Sequence, residues 1–214
     1  MLENIDLAMD VFDRALKYVD EHAHLQEEVA WQESRSLAVL EESEFLREYA
    51  WVVLCSGFRE SVVRRWFPYV SLCYCDWESA CEIVRCKEQC VATALRAINY
   101  QRKHEAIIQV AERLYEGGFH SFKQTLERNA TITLQELPFI GPVTAYHLAK
   151  NVGVLTAKPD RHLLRLSRSL GFDDAHTLCN SISRLSGISV SVVDLVLWRF
   201  IADGRHRTVP AMIA

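Results

Sequence analysis

The chain has 214 residues, 50% of them hydrophobic and 24% charged, with only five prolines and eight glycines. That composition suits one compact domain or two lobes sharing a cleft, and it argues against a sheet-rich or disordered chain. The formal net charge of −4 speaks at first against a nucleic-acid partner, but residues 1–48 hold thirteen Asp/Glu against four Lys/Arg, while residues 49–214 hold fifteen acids against twenty bases. An acidic arm of −9 thus masks a body of +5, which permits phosphate binding.

In chain order, Ile5, Ala8, Met9, Phe12, Ala15, Leu16 and Val19 fall at helical spacing over 3–20. A second helix is expected over 25–40, carrying Leu25, Val29, Trp31, Leu37 and Leu40. A third runs from Glu44 through Phe45, Tyr49, Val52 and Val53 toward Gly57. Residues 61–67 continue helically until Pro68, which has no backbone N–H to donate. Weaker helices are expected over 76–85 and 87–97. Ile107, Ile108, Ala111 and Leu114 mark a helix over 102–115, ended by Gly117-Gly118. A short helix over 121–128 follows, and Thr133 or Gln135 opens another. The last helices are expected over 163–170, 173–185 and 190–202. The pattern is all-α, with roughly ten helices.

No basic start followed by an apolar run marks a secretory signal, and no apolar stretch is long enough to span a bilayer. Seven cysteines, an odd number, read as reduced thiols. Five of them, Cys73, Cys75, Cys81, Cys86 and Cys90, follow the spacing C-x-C-x5-C-x4-C-x3-C, without the paired C-x2-C elements of common zinc sites. Buried thiols are the expectation, with no metal. These features together predict a soluble cytoplasmic protein, nucleoid-associated if bacterial, monomeric and without membrane contact.

The chemistry is concentrated between Leu134 and Leu170. A helix ends at Leu137, Pro138-Phe139-Ile140-Gly141 makes a tight turn, and Pro142 starts a new helix, a position that suits proline. Gly141 is expected to supply a special backbone conformation or room for a close approach. Amides at the start of the new helix face outward at the positive end of its dipole, where phosphate binds readily.

Leu137-Pro138-Phe139-Ile140-Gly141-Pro142-Val143-Thr144-Ala145 resembles the hairpin L-P-G-φ-G-x-x-T-A of the helix-hairpin-helix (HhH-GPD) DNA glycosylases, a superfamily that includes endonuclease III and the adenine and alkyl-base glycosylases. Pro159-Asp160-Arg161-His162-Leu163-Leu164-Arg165-Leu166 is similar to the family's V-D-T-H-φ-x-R-φ, with Asp160 nineteen positions after Gly141. Upstream, Ala97-Ile98-Asn99-Tyr100-Gln101-Arg102-Lys103 looks like the G-φ-x-Y-x-x-K-A helix entry. Val53-Leu54-Cys55-Ser56-Gly57 sits where the family has φ-L-S-x-Q, without the glutamine. The resemblance covers 45–202; 1–44 are acidic N-terminal helices packing on that body, and 203–214 form a tail.

The resemblance implies a two-lobed helical bundle with a cleft between lobes, binding double-stranded DNA and excising a base flipped out of it. Asp160 would be the catalytic carboxylate, stabilising positive charge on the sugar and positioning water, a role compatible with capping the helix at Arg161. Val143 stands where strand-cutting members have a Schiff-base lysine, which implies a monofunctional enzyme; Lys150 and Lys158 are the nearby amines that could contradict this. Phosphate contacts fall to Gly141, Val143, Thr144, Lys158 and Arg161, and the hairpin carbonyls are of the kind that hold a monovalent cation. Phe139 replaces the first hairpin glycine. Phe58 and Arg59 match the region that fills the gap left by a flipped base. Trp31, Gln32, Trp51, Tyr100 and Trp198 are candidates for the base pocket, each also a candidate core residue. His162, Arg165, Arg168, Arg102 and Lys103 could add a basic edge or lie on solvated faces. The four cysteines that hold an iron–sulfur cluster after the last helix in many relatives are missing, since the last cysteine is Cys179. Two other readings remain, a non-catalytic DNA-binding module and a protein-interaction scaffold. The excised base is not readable.

Overall fold

The computed structural model describes residues 2–202 and Gly204, so the expected tail 203–214 otherwise lies outside the described residues. Among the described residues there are twelve α-helices and no strand: α1 (Leu2–Asp20), α2 (Ala23–Glu33), α3 (Glu42–Cys55), α4 (Glu60–Cys73), α5 (Ala80–Arg85), α6 (Lys87–Ala94), α7 (Gln101–Gly117), α8 (Phe119–Gln135), α9 (Pro142–Asn151), α10 (Arg161–Ser169), α11 (Ala175–Ser186) and α12 (Val190–Ala202). Short 3-10 turns occupy Leu37–Val39 and Cys75–Trp77. No single described helix is long and apolar enough to cross a membrane.

The chain divides into two compact units, a terminal one of Met1–Arg35 with Gly153–Ala214 and a central one of Ser36–Val152. This corrects the expected division into a 1–44 arm and a 45–202 body. The apolar stripe of α1 (Ala8, Val11, Phe12, Ala15 and Val19) is buried in one cluster with Leu163 and Leu166 of α10, Leu178 and Ile182 of α11, and Val193, Val196 and Leu197 of α12. The first helices therefore share a core with the last ones. Arg199 of α12 completes the union by donating through Nε and Nη2 to both carboxylate oxygens of Glu28 on α2, at 2.6 and 2.8 Å. Residues 36–40 belong to the central unit, where the Lys123 ammonium donates to the carbonyls of Ala38 and Leu40.

In the central unit α3 buries Phe45, Leu46, Tyr49, Val52, Val53 and Leu54, and α7 buries Ile107, Val110, Ala111 and Leu114. Along the chain, three local expectations fail, each for a physical reason. Helix α2 stops at Glu33 rather than near residue 40, with the Ser34 hydroxyl bonding back to the Trp31 carbonyl at 2.7 Å. Helix α4 runs through Pro68 to Cys73. An internal proline costs about 3 kcal/mol, but Val63, Phe67 and Val70 are buried on either side of it, and burial of one such side chain is worth roughly 1.5–3 kcal/mol. The two helices expected around 121–135 are joined as α8, broken at Asn129 (φ −157°, ψ 83°). The Asn129 side-chain oxygen accepts from the Ile132 N–H at 3.3 Å, capping the second stretch in place of the lost backbone acceptor.

After α4 the backbone takes three consecutive left-handed residues, Cys75, Asp76 and Trp77, with φ of 54°, 49° and 64°. Burial of Trp77 offsets this strain: its ring stacks on Tyr74 and its Nε1–H donates to the Ser71 hydroxyl at 2.8 Å.

Candidate nucleic-acid site

The hairpin between α8 and α9 is built on two buried anchors, Leu137 and Ile140, with the Ile140 N–H donating to the Leu137 carbonyl at 3.2 Å. Between them Phe139 lies in the left-handed region at φ 61°. This is the position at which the resembled hairpin has glycine, and a side chain there costs about 1–2 kcal/mol. Gly141 behaves in the opposite way. Its φ of −90° and ψ of −179° are ordinary extended backbone, and an added Cβ would meet only Thr144 Oγ1 at 3.8 Å. The expected special conformation at Gly141 is thus found at Phe139.

The Gly141 amide donates to Thr144 Oγ1 at 2.7 Å, so it is already satisfied inside the hairpin. Pro142 has no N–H, which leaves the amides of Val143 and Thr144 as the first-turn donors without an intrahelical acceptor. Val143 is 41% exposed. The hairpin is braced from α3: the Tyr49 hydroxyl donates to the Pro138 carbonyl at 2.9 Å. Burial pushes the Tyr49 phenol well above its ordinary value, so it stays a donor. At the other end of α9, Asn151 Nδ2 donates to Glu48 Oε2 at 2.9 Å. The sequence placed Tyr49 only as an apolar position of its helix, since an amphipathic pattern gives no sign of where a hydroxyl will end.

Lys103, expected as a basic edge or solvated residue, is 3% exposed. Its ammonium donates to the carbonyls of Val53 at 2.7 Å, Leu54 at 3.1 Å and Ser56, capping the C-terminal end of α3. Burial holds its pKa below the usual lysine value, with the nearby Cys55 thiol opposing that shift. Above the ammonium lie Phe58 and Tyr100, with ring centroids 4.8 and 5.5 Å from Nζ. Tyr100 in turn meets Phe139 edge to face. The expected gap-filling residue Phe58 and the base-pocket candidate Tyr100 are therefore neighbours of the hairpin. Arg59 is exposed at the N-cap of α4.

In the terminal unit Asp160 is the N-cap of α10, half-buried, with Oδ1 accepting from the amides of His162 and Leu163 at 2.9 and 3.0 Å. Oδ2 makes no hydrogen bond among the described residues. The segment leading to Asp160 is fastened to α12. Ser191 Oγ accepts from the Thr156 N–H at 3.2 Å, and the buried Asp194 accepts from the Lys158 N–H at 2.7 Å. Lys158 is half-buried and Lys150 buried. Arg161, Arg165 and Arg168 share the exposed face of α10, and Arg161 Nε lies 3.4 Å from His162 Nε2.

Each of the other base-pocket candidates is engaged within its own unit. Trp51 packs edge-on to Phe67 with Arg64 over its ring, while Trp31 sits under Arg35. Trp198 is covered by Arg199, and Gln32 is buried in α2. Packing explains each of these positions. All seven cysteines are free thiols; Cys90 and Cys179 are buried, Cys81 is exposed and the rest are half-buried. Burial pushes the Cys90 thiol up to about 12. Among the described residues no three His, Cys, Asp or Glu side chains are placed to hold a metal ion. A monovalent cation at the hairpin carbonyls was expected; those of Leu137, Pro138 and Gly141 accept hydrogen bonds from Ile140, Tyr49 and Ala145 respectively. No protein-family model matches this chain, and no curated protein matches it.

Proposed function

We propose that the protein is a DNA glycosylase that hydrolyses the N-glycosidic bond of a damaged or modified base and leaves an abasic site. The observation that carries this reading is the divided carboxylate of Asp160. Two backbone amides hold one oxygen at the start of α10, while the other bonds to nothing among the described residues. A carboxylate fixed in this way needs no reorganisation to stabilise positive charge, which is what departure of a base leaves on the sugar. The bond from the sugar carbon to the base nitrogen breaks with its electrons leaving on the base; water then adds its oxygen to that carbon, and the proton that it loses ends on the departed base. In this reading the amides of Val143 and Thr144 take a phosphate oxygen in the central unit, while Arg161 and Lys158 are separate charged contacts in the terminal unit. Val143 offers no amine, so the strand is not cut.

Labelled duplexes, each with one candidate base and each split between alkali and no alkali, test the proposal directly. Scission only after alkali is the expected result. Asp160→Asn should lower the rate at least about a hundredfold, the scale at which loss of a charge-stabilising group is felt. No base released from oxidised, alkylated, mismatched and enzymatically modified substrates would sink the enzyme and favour a DNA-binding module. Scission without alkali would overturn the role given to Val143.

A further inference from the structure

Three aromatic side chains from distant stretches of the central unit meet in a row: Phe58 between α3 and α4, Tyr100 at the N-cap of α7, and Phe139 in the hairpin. Neighbouring ring centroids are 6.2 and 6.3 Å apart, with ring planes at 82° and 81°. Phe58 and Tyr100 remain 36% and 40% exposed, so the row is not core. It is nevertheless held in place. Phe139 keeps a ring at a backbone position where glycine would be free of strain, and such outliers persist where the side chain has a use. The ammonium of Lys103, fixed by three carbonyls, lies against Phe58 and Tyr100. Beside the row is an open depression of about 410 Å³ lined by Arg102, Glu105, Ala106, Gln109, Pro138 and Phe139, within the size range that holds small ligands. Arg59 and Arg102 are exposed next to Phe58 and Phe139.

We infer that Phe58, Tyr100 and Phe139 form a stacking ledge for unpaired nucleotides, so that the protein prefers single-stranded or locally opened DNA to closed duplex. Flat rings flanked by cations are what a single strand uses, because each unpaired base offers a face, whereas bases in a closed duplex are stacked on one another. Arg59 and Arg102 then meet the phosphates on either side. The inference rests on the reading of the protein as one that acts on DNA, but not on chemistry at Asp160.

The test is fluorescence anisotropy at low salt with labelled oligothymidylate of about twelve nucleotides, a length covering one stacking site, and a duplex of equal length. Wild-type protein should bind the strand at least about tenfold more tightly than the duplex. Phe139→Gly removes the ring while keeping the left-handed backbone, and thermal melting should show it folded. It should lose about tenfold in strand affinity with little change toward duplex, and Tyr100→Leu should move the same way. Equal affinities for strand and duplex, or equal losses on both, would overturn the ledge. Ring-dependent strand binding with no base released from any substrate would uphold the ledge and sink the glycosylase. Base release without a strand preference would do the reverse, and binding to neither DNA would overturn the ledge.

Discussion

At the scale of single residues, Asp160 is asked to do two things, and the two can be separated. As N-cap it satisfies two amides of α10 through one oxygen; its second oxygen makes no hydrogen bond among the described residues. Asparagine caps a helix about as well as aspartate, whereas alanine costs roughly 1 kcal/mol. Denaturant unfolding should therefore place Asp160→Asn close to wild type and Asp160→Ala about 1 kcal/mol below it. Glycosylase activity should be lost in both. A variant that keeps activity as Asn, or an Asn variant as unstable as Ala, would show that the residue is structural alone. The capping role of Asp160 was legible in the sequence because capping is local. The hairpin was legible only in outline. Sequence placed the special backbone at Gly141, but buried Leu137 and Ile140 fix the turn so that the left-handed residue is Phe139.

Helices were largely readable, since apolar side chains three and four residues apart show through any one-dimensional pattern. What broke the pattern was tertiary. Packing on both sides of Pro68 carried α4 through a residue that locally ends a helix, and a side-chain oxygen let α8 restart at Asn129. The end of α3 shows the same dependence on distant partners. Its last carbonyls are satisfied by Lys103, about fifty positions on, which no local pattern could announce. Lys103→Met should leave those buried carbonyls unpaired and destabilise the protein by about 2 kcal/mol, read as a lower denaturant midpoint at constant slope.

His104, next on α7, adds a pH dependence. Its Nε2 bonds to the Ile98 carbonyl at 2.8 Å, so Nε2 carries the proton and Nδ1 accepts from the Tyr74 hydroxyl at 3.0 Å. Burial, reinforced by the charge of Lys103 and opposed by the Ile98 bond, holds the imidazole below the ordinary histidine value and keeps it neutral. As pH falls through about 6.5 the unfolded chain takes up a proton that the folded chain refuses. Stability should thus fall between pH 7.5 and 5.5, and the fall should be smaller in His104→Gln. An equal fall in the variant would assign the effect to another histidine.

At the scale of the whole molecule, the structure redraws the electrostatics that the sequence suggested. The split at residue 48 made an acidic arm and a basic body, but the compact units cut the chain elsewhere. The terminal unit holds fourteen acids and eleven bases, and the central unit fourteen acids and thirteen bases. The acids of α1 and α2 share a unit with the arginines of α10, because apolar stripes at opposite ends of the chain are buried together. That pairing is long-range and left no local mark. Neither unit then carries net positive charge, so on the proposed reading DNA affinity has to come from a few local cations and from uncharged contacts. Arg59, Arg102, Arg161, Arg165 and Arg168 are the exposed cations among the candidate contact residues. Each phosphate neutralised contributes about −0.9 to the slope of log affinity against log salt on duplex DNA. Five such contacts bound the slope at roughly −4.5. A titration from 50 to 200 mM salt should therefore give a slope no steeper than about −5. Removal of Arg161 and Arg165 together should make it shallower by nearly two. A slope near zero would mean that phosphates are not contacted at all. A much steeper one would mean that basic residues beyond these are contacted.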